Sequence, residues 1–286
     1  MIGNRIKTTI LLAFLAALFI GIGSLLGGRT GMIIGLAIAM LINLGSFWFS
    51  DKIVLKMYKA KPVSKDHKLY QIVHDLSRIA KIPMPKVYTI TAPSPNAFAT
   101  GRSPKNATVA ATESLLHIMS EEEVKAVMAH ELSHIKHRDT LVQTIAVGIA
   151  SAIAFVAEMF QWAAIFGFGG NDEDGGIPGL IGLIILAILT PIIATLIQLA
   201  ISRQREYMAD AGAVQMMKSP MPLINALNKL EHAADHLKRQ PHASAAPTES
   251  LFIVNPFKGN SIFKLFSTHP ATKDRIAAMK KVKIIR

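Results

Sequence analysis

The sequence predicts a mainly α membrane protein that combines four transmembrane helices with a cytoplasmic α+β domain carrying a small sheet. Three observations lead to this fold class. Of the 286 residues, 51% are hydrophobic and only 17% are charged, which is too few charges for an ordinary soluble domain. The apolar residues are concentrated in four long stretches, and basic residues flank these stretches. The remaining segments show the periodicity of short strands and amphipathic helices.

Two apolar stretches predict a transmembrane hairpin over residues 1–50. Residues 8–28 and 31–50 contain no charged side chain, and each stretch is long enough to cross a bilayer as a helix of about 20 residues. Arg5 and Lys7 precede the first stretch, as in a secretory signal. Because that stretch is long and a second one follows almost at once, an uncleaved anchor is favoured over a cleaved signal.

A second transmembrane hairpin is predicted over residues 140–202. Residues 140–168 carry a single charge, on Glu158, and residues 177–202 carry none but contain Pro191. A buried helical hairpin in a soluble core is the alternative. Glu158 either lines the interior of a helix bundle or lies near the far interface, and the sequence leaves its role open.

The net charge of +12 predicts the orientation of the chain in the bilayer. Basic residues flank one end of each apolar stretch, namely Arg5, Lys7, Lys52, Lys56, Lys59, Lys61, Lys136, Arg138, Arg203 and Arg205. The link between the third and fourth stretches, residues 171–174, is acidic instead. Since basic flanks stay in the cytoplasm, residues 51–139 and 203–286 are predicted to be two parts of one cytoplasmic domain. The sequence has no basic stripe with interleaved aromatic residues, so nucleic-acid binding is not expected.

The cytoplasmic segments predict a small sheet followed by helices. Residues 64–80 have the spacing of an amphipathic helix with an apolar side formed by Leu69, Ile72, Val73, Leu76 and Ile79, and Pro83 and Pro85 end it. Strands are predicted at residues 86–91, 97–101 and 107–111. Helices are predicted at residues 112–118, from 120 onward, and at 202–217, 222–239 and 271–282. Residues 241–259 are predicted to form a loop.

Two histidines predict a metal site on the helix that begins after Ser120. His130 and His134 are four residues apart, so both imidazoles point the same way and can bind one metal ion. Ser120 is a good N-cap and Glu123 completes a capping box, which supports the helix. Glu131 lies between the histidines and is the base that a catalytic zinc site needs beside its water. A chance match to a short pattern is the alternative.

The sequence offers several candidates for a third metal ligand. His137 lies about 10 Å further along the helix axis than His130, so it is expected to be a polar neighbour, and Asp139 is a second candidate. Glu206 and Asp210 are one helical turn apart, so if Glu206 binds the metal, Asp210 can reach the distal nitrogen of a ligand histidine. A solvated acidic pair is the alternative, but the second hairpin returns Glu206 to the bilayer face of the motif. Since the chain has no cysteine, any zinc is held by histidine and carboxylate.

Taken together, the motifs resemble those of the HtpX-type family of bacterial membrane metalloproteases, which is related to the CAAX prenyl endopeptidases. The resemblance rests on His-Glu-Leu-Ser-His followed by Ile-Lys-His-Arg-Asp, on the two hairpins, and on Ser-Arg-Gln-Arg-Glu-Tyr-Met-Ala-Asp. Residues 95–99, 268–270 and 275–276 also match. The similarity extends over essentially the whole chain, although residues 241–259 match no motif.

This resemblance implies a zinc endopeptidase with a zincin-like α+β domain and one zinc ion per chain. It implies a multi-pass protein of the bacterial cytoplasmic membrane that takes part in stress response and in quality control of misfolded membrane proteins. It assigns three zinc ligands, one catalytic base and one partner of a ligand histidine, respectively His130, His134 and Glu206, Glu131, and Asp210. Hydrolysis by such a site needs no acyl-enzyme, because a base activates water directly.

Two further sets of residues are candidates for a role in catalysis or substrate binding. His269 or Arg275 is a candidate donor to the tetrahedral oxyanion, and a helix N-cap or a buried salt bridge is the alternative. Asn96, Ala97 and Phe98 are candidates for an edge strand that binds extended substrate by β-augmentation. An ordinary loop that carries Phe98 into the core is the alternative.

The leading hypothesis is an enzyme whose partners are the lipid bilayer and polypeptide substrates, mainly membrane proteins. The rival hypothesis is a noncatalytic metal-binding membrane protein or a transporter. A transporter is expected to carry ionisable residues inside its spans, and here only Glu158 lies inside one. A structural zinc site fills the fourth ligand position with protein and needs no base.

Overall fold

The computed structural model describes residues 2–139, 141–142, 203–237 and 270–285. Within these ranges the helices are α1 (Ile2–Met57), α2 (Lys68–Ala80), α3 (Glu113–Ile118), α4 (Glu121–His137), α5 (Arg203–Met217), α6 (Met221–Leu237) and α7 (Thr272–Met279). The strands are β1 (Lys61–Pro62), β2 (Lys86–Ile90), β3 (Ala97–Gly101) and β4 (Ala107–Thr112). The predictions for Glu158, His269, residues 241–259 and almost all of the second hairpin lie outside the described residues.

Helix α1 folds back on itself near Gly28, which has a left-handed φ of +55°. A Cβ atom on Gly35 would lie 2.2 Å from the carbonyl oxygen of Phe19, whereas the same residues would be about 24 Å apart in a straight helix. The two arms of α1 therefore pack against each other. Within the part of the chain that the structure describes, no helix combines the length and the apolar character that a membrane crossing requires. The four transmembrane spans stay a prediction.

The strands form one mixed sheet in the order β1-β2-β4-β3. Strand β2 pairs with β4 in parallel, and β1 and β3 pair antiparallel with β2 and β4, respectively. The predicted small sheet is therefore confirmed, and the three predicted strands begin where the sequence placed them. Strand β3 is the outermost described strand on the side of α4.

Helix α4 lies at the centre of the domain, because nearly its whole circumference is buried from residue 123 to residue 135. Its start follows the sequence prediction: the Ser120 hydroxyl accepts a hydrogen bond from the Glu123 N–H at 3.4 Å, and the Glu123 carboxylate accepts one from the Ser120 N–H at 2.7 Å. This reciprocal capping box satisfies two otherwise unpaired backbone donors. The start of the motif helix is thus fixed locally.

Helix α2 begins at Lys68, four residues later than predicted, and its apolar side was predicted correctly except in the last turn. Leu69, Ile72, Val73 and Leu76 are buried, but Ile79 is 56% exposed. In the last turn Ala80 faces the core in place of Ile79, and the backbone then leaves the helix through a left-handed residue. The prediction for Ile79 was therefore wrong.

Helices α4 and α5 approach closely, and a glycine permits this contact. A Cβ atom on Gly212 would lie 2.3 Å from the Ser133 Oγ and 3.0 Å from the Ser133 Cβ. Ser133 in turn donates its hydroxyl to the Ala129 carbonyl at 2.9 Å. Since Gly212 is on the same helix as Glu206, the close packing brings that carboxylate to the histidines of α4.

Candidate metal centre

The two motif histidines converge on one point. His130 and His134 are buried, with 2% and 3% of their surface exposed. Their rings are nearly perpendicular, with centroids 4.7 Å apart, and their Nε2 atoms are 3.1 Å apart. The position of both residues on α4, one turn apart, gives this arrangement directly.

Helix α5 adds a carboxylate to the pair. Glu206 is fully buried, and its two oxygens lie 3.7 Å from the Nε2 of His130 and 3.5 Å from the Nε2 of His134. Tetrahedral bonds of about 2.0–2.1 Å to zinc place neighbouring ligand atoms roughly 3.3–3.4 Å apart. The observed separations of 3.1, 3.5 and 3.7 Å match that spacing. Among the described residues, these three form a group that can hold a metal ion, and His137 is not part of it.

Each histidine has an aspartate on its other ring nitrogen. The His130 Nδ1 lies 3.0 Å from Asp210, as predicted, and the His134 Nδ1 lies 3.3 Å from Asp139. When Nδ1 donates to a carboxylate, the tautomer that remains leaves Nε2 free for a metal. Both histidines are thus set to bind through Nε2.

The sequence identified Asp139 only as a candidate ligand and missed this contact. Asp139 follows the end of α4, where Arg138 has a left-handed φ of 60° and ends the helix. This turn brings Asp139 back beside His134. A helical-spacing argument does not reach past such a turn, so the sequence held no periodic signal for the pair.

A buried arginine lies beside each of the two aspartates. Arg275 is 1% exposed and donates to both oxygens of Asp210, at 2.9 and 2.7 Å. Its Nη1 lies 3.8 Å from Glu206, so the buried salt bridge that the sequence left as an alternative is present. Arg205 is 7% exposed and its Nη1 lies 3.9 Å from Asp139. The sequence placed Arg205 among the basic residues that flank a span, and its burial in the site was not foreseen.

Glu131 lies in the site between the histidines and β3. It is 5% exposed, and its carboxylate accepts a hydrogen bond from the Ala99 N–H. The segment that holds Ala99 is a strand, as predicted, while the Phe98 side chain is in the core against Tyr58, with ring centroids 5.4 Å apart. The alternative of an ordinary loop was wrong, but its expectation that Phe98 is a core residue was right.

The proton affinities of His134 and Glu131 are shifted upward. Burial raises the pKa of Glu131 to about 7, and the charge of Glu206 adds to this shift. Burial lowers the pKa of His134, but the hydrogen bond to Asp139 and the charge of Glu206 outweigh it and raise that pKa to about 9. Without a metal, the buried site therefore keeps protons on both groups at moderately acidic pH.

The pKa values of His130 and Asp210 are instead shifted downward. Burial is the main cause that lowers the pKa of His130. Burial raises the pKa of Asp210, but the charge and hydrogen bonds of Arg275 outweigh it and hold that pKa at about 2. Asp210 is therefore an anion. His130 is a neutral imidazole, which is the state a metal ligand requires.

The buried charged groups of the site carry a net negative charge that a divalent cation would neutralise. The site contains four buried carboxylates and two buried guanidinium groups, namely Glu131, Asp139, Glu206, Asp210, Arg205 and Arg275. When both imidazoles are neutral and all four carboxylates are ionised, as metal binding requires, four negative charges and two positive charges leave a net charge of −2. Buried charges persist only when they are paired or bind a metal. The residues therefore fit a divalent metal ion in charge as well as in spacing.

The chain is similar to a family of peptidases over most of its length. Residues 63–283 match the model of peptidase family M48. The "Protease HtpX homolog" of Syntrophobacter fumaroxidans is 49% identical over 283 residues, which cover 97% of this chain and 99% of that protein. "Protease HtpX" of Legionella pneumophila strain Lens is 47% identical over 278 residues, which cover 97% and 98%. The crystal structure of Ste24p from S. mikatae matches with a TM-score of 0.48 and 19% identity, over 97% of this chain and 66% of that one.

Proposed function

Because this chain belongs to peptidase family M48 and is a metalloendopeptidase, we propose that it binds one zinc ion through His130, His134 and Glu206. We propose Glu131 as its catalytic base and Asp210 as the residue that orients His130. The observation that carries this proposal is the buried group of two Nε2 atoms and one carboxylate, with tetrahedral spacing and a charge deficit of two. Replacement of Glu131, discussed below, tests it.

The donor set supports zinc in a catalytic site. Two imidazoles and one carboxylate are a common ligand set of catalytic zinc, which keeps its fourth position for water. A noncatalytic structural site fills that position with a fourth protein ligand, and the described residues supply three. The presence of Glu131 beside the group also favours catalysis over the rival of a noncatalytic metal-binding membrane protein or a transporter.

Proton transfer in the proposed mechanism is assigned to Glu131. Zinc supplies a Lewis acid that lowers the pKa of water and polarises a peptide carbonyl. Glu131 takes a proton from the attacking water and later passes it to the leaving amine. Glu131 is buried beside both histidines, so its carboxylate is placed to accept that proton. The Arg275 donors are directed at Asp210, and a role of Arg275 or His269 at the oxyanion remains a prediction.

We propose that the enzyme acts at the cytoplasmic face of the bacterial inner membrane. The support is the exposed apolar surface of α1, formed by Ile10, Met32, Ile33, Ile34, Leu36, Ile38, Met40, Leu41, Trp48 and Phe49. Many large exposed apolar side chains on one helix favour a partner that covers them, and a lipid bilayer is one. Basic residues at the predicted span ends support the cytoplasmic orientation. Cleavage of misfolded membrane proteins in stress response and quality control is the function that fits this place.

The position of β3 supports a site close to the bilayer. Arg102, just after β3, lies over the ring of Trp48 at 5.6 Å, and Phe98 lies against Tyr58, the residue that follows the end of α1. Strand β3 therefore runs toward the end of the predicted second span. Ala99, which contacts Glu131, is about 10 Å from Arg102 along the strand. All residues of β3 are buried. A substrate strand could therefore pair with its outer edge only after whatever buries that edge has moved away.

This position predicts that substrates are cut near their own spans. A single-span reporter with an unfolded cleavable segment about 4 residues from its span should be cleaved roughly tenfold faster than one with the segment about 20 residues away, because the bilayer holds the near segment at the depth of the site. The two rates are measured in the same nanodiscs. The same segments without a span serve as the control and should be cleaved at equal rates. Equal cleavage of the two anchored reporters would contradict the proposal.

The shifted pKa values predict that zinc binding releases protons. Below pH 9 the metal-free His134 is protonated, and near pH 7 Glu131 is about half protonated. Zinc requires a deprotonated His134 as a ligand, and its charge favours the ionised form of the neighbouring Glu131 carboxylate. Binding at pH 7 should therefore release one proton from His134 and about half a proton from Glu131. Zinc affinity should accordingly rise with pH up to about 9. Calorimetry in buffers of different ionisation enthalpy measures the release, and binding without proton release would refute the assignment of His134.

A further inference from the structure

Arg205 is a buried cation that the proposed hydrolytic mechanism does not use. It directly precedes Glu206 on α5, and its side chain is 9% exposed. Among the residues that the structure describes, none donates or accepts a hydrogen bond with its three guanidinium nitrogens. Its Nη1 lies 3.9 Å from the Oδ1 of Asp139. Burying a guanidinium group costs free energy that a surface arginine would not incur, so its place in the site needs a physical reason.

The surroundings of Arg205 repeat those of Arg275. On one side of the metal group, Arg275 binds Asp210, and Asp210 contacts the Nδ1 of His130. On the other side, the Oδ1 of Asp139 faces Arg205 while its Oδ2 contacts the Nδ1 of His134. Each proposed ligand histidine thus contacts an aspartate through its Nδ1, and a buried arginine lies beside that aspartate. The second series is looser, at 3.9 Å where Arg275 has 2.7 Å.

We propose that Arg205 is a positioning residue that acts through Asp139 to hold His134 with its Nε2 toward the metal. This inference rests on the proposed zinc site. Its physical basis is that Asp139 lies beyond the left-handed Arg138 that ends α4, in the helical residues that follow, so the geometry of α4 does not fix its carboxylate beside His134. A cation on the far side of the carboxylate attracts it and holds it between Arg205 and His134.

If Arg205 acted only through its charge, its removal would strengthen metal binding, whereas removal of a positioning residue would weaken it. A guanidinium beside a divalent cation repels it, so removing the guanidinium would strengthen metal binding if charge were its only effect. A positioning residue, by contrast, contributes to affinity through the ligand that it orients, and loss of such partners typically weakens metal binding by 10–100-fold. The sign of the change in affinity therefore separates the two roles.

The test is the zinc affinity of Arg205→Met, measured on the full-length protein by competition with a chelator. We expect binding about tenfold weaker than in the wild type. Arg203→Met is the matched control, because Arg203 is on the same helix and exposed, and it should leave zinc affinity unchanged. Unchanged or tighter binding in Arg205→Met would overturn the inference. If that variant does not fold, Arg205→Gln should show the same loss and Arg205→Lys should stay within about threefold of the wild type.

A double-mutant cycle shows whether Arg205 acts through Asp139. Asp139→Asn alone should weaken zinc binding, and adding Arg205→Met to it should change affinity less than about twofold, because the carboxylate that Arg205 orients is gone. Additive losses would overturn the inference even if each single variant binds zinc weakly. The proposed function fails separately, if the wild-type protein itself binds no zinc or does not lose it when Glu206 is replaced.

Discussion

Glu131→Gln is expected to abolish peptide-bond cleavage while zinc stays bound. Glutamine has the shape of glutamate but cannot accept the proton of the attacking water, and loss of a general base typically lowers the rate by about 10²–10⁴-fold. The three proposed ligands are other residues, so zinc content should be unchanged. The measurement compares cleavage of an unfolded polypeptide and zinc content by atomic absorption, both on protein purified in nanodiscs.

Glu122→Gln is a matched control for this experiment. Glu122 is on α4 but is exposed, where it pairs with Lys125 at 2.9 Å, so its replacement should leave both cleavage and zinc content as in the wild type. Cleavage by Glu131→Gln at the wild-type rate would remove Glu131 from the mechanism. Loss of zinc from the same variant would make the test uninformative, because a site without its metal cannot cleave whatever the role of Glu131.

The sequence predicted the parts of the site that local rules determine. The capping box at Ser120, the four-residue spacing of His130 and His134, and the limits of β3 follow from short-range patterns, and the structure has all of them. These signals work because a helix turn and a pleat fix the direction of neighbouring side chains. The same reasoning gave Asp210, which is one turn from Glu206 and contacts His130.

The features that the sequence missed depend on contacts between distant segments or on a turn. Asp139 reaches His134 only because Arg138 has a left-handed conformation. Arg205 is buried because its helix packs against α4, whereas its sequence context is that of a basic residue flanking a span. The anchoring of Arg275 on Asp210 joins α7 to α5. The identity of the candidate ligands does not indicate which cations balance their charge, and only the packed structure shows it.

The charge balance of the site explains why protonation and metal binding are alternatives. With zinc absent, a proton on His134 and one on Glu131 offset the two excess negative charges, as their raised pKa values indicate. With zinc bound, the ion supplies the same two positive charges. The buried site is close to neutral in both states, so the fold needs no large rearrangement to lose the metal. Removing a carboxylate disturbs this balance in the zinc-bound state.

Glu206→Ala is expected to lose zinc, whereas His137→Ala is expected to retain it. A structural zinc ion contributes about 10–16 kcal/mol through four ligands, so one ligand is worth roughly 3 kcal/mol and its loss should weaken binding by more than about a hundredfold. Glu206 is the fully buried member of the group, while His137 is half-buried at the end of α4 and outside it. Zinc content after dialysis against a weak chelator measures both variants.

The pair of variants also decides between the candidates that the sequence left open for the third ligand. His137→Ala leaves His130, His134 and Glu206 in place and removes only the half-buried imidazole of residue 137. If His137→Ala loses zinc and Glu206→Ala keeps it, the third ligand has to be reassigned and the metal has to lie further along α4. Because the Nε2 atoms of His130 and His134 are 3.1 Å apart and both face Glu206, such a site would require their rings to turn away from α5. Their Nδ1 contacts with Asp210 and Asp139 oppose that rotation, which is why we expect the zinc ion to depend on Glu206.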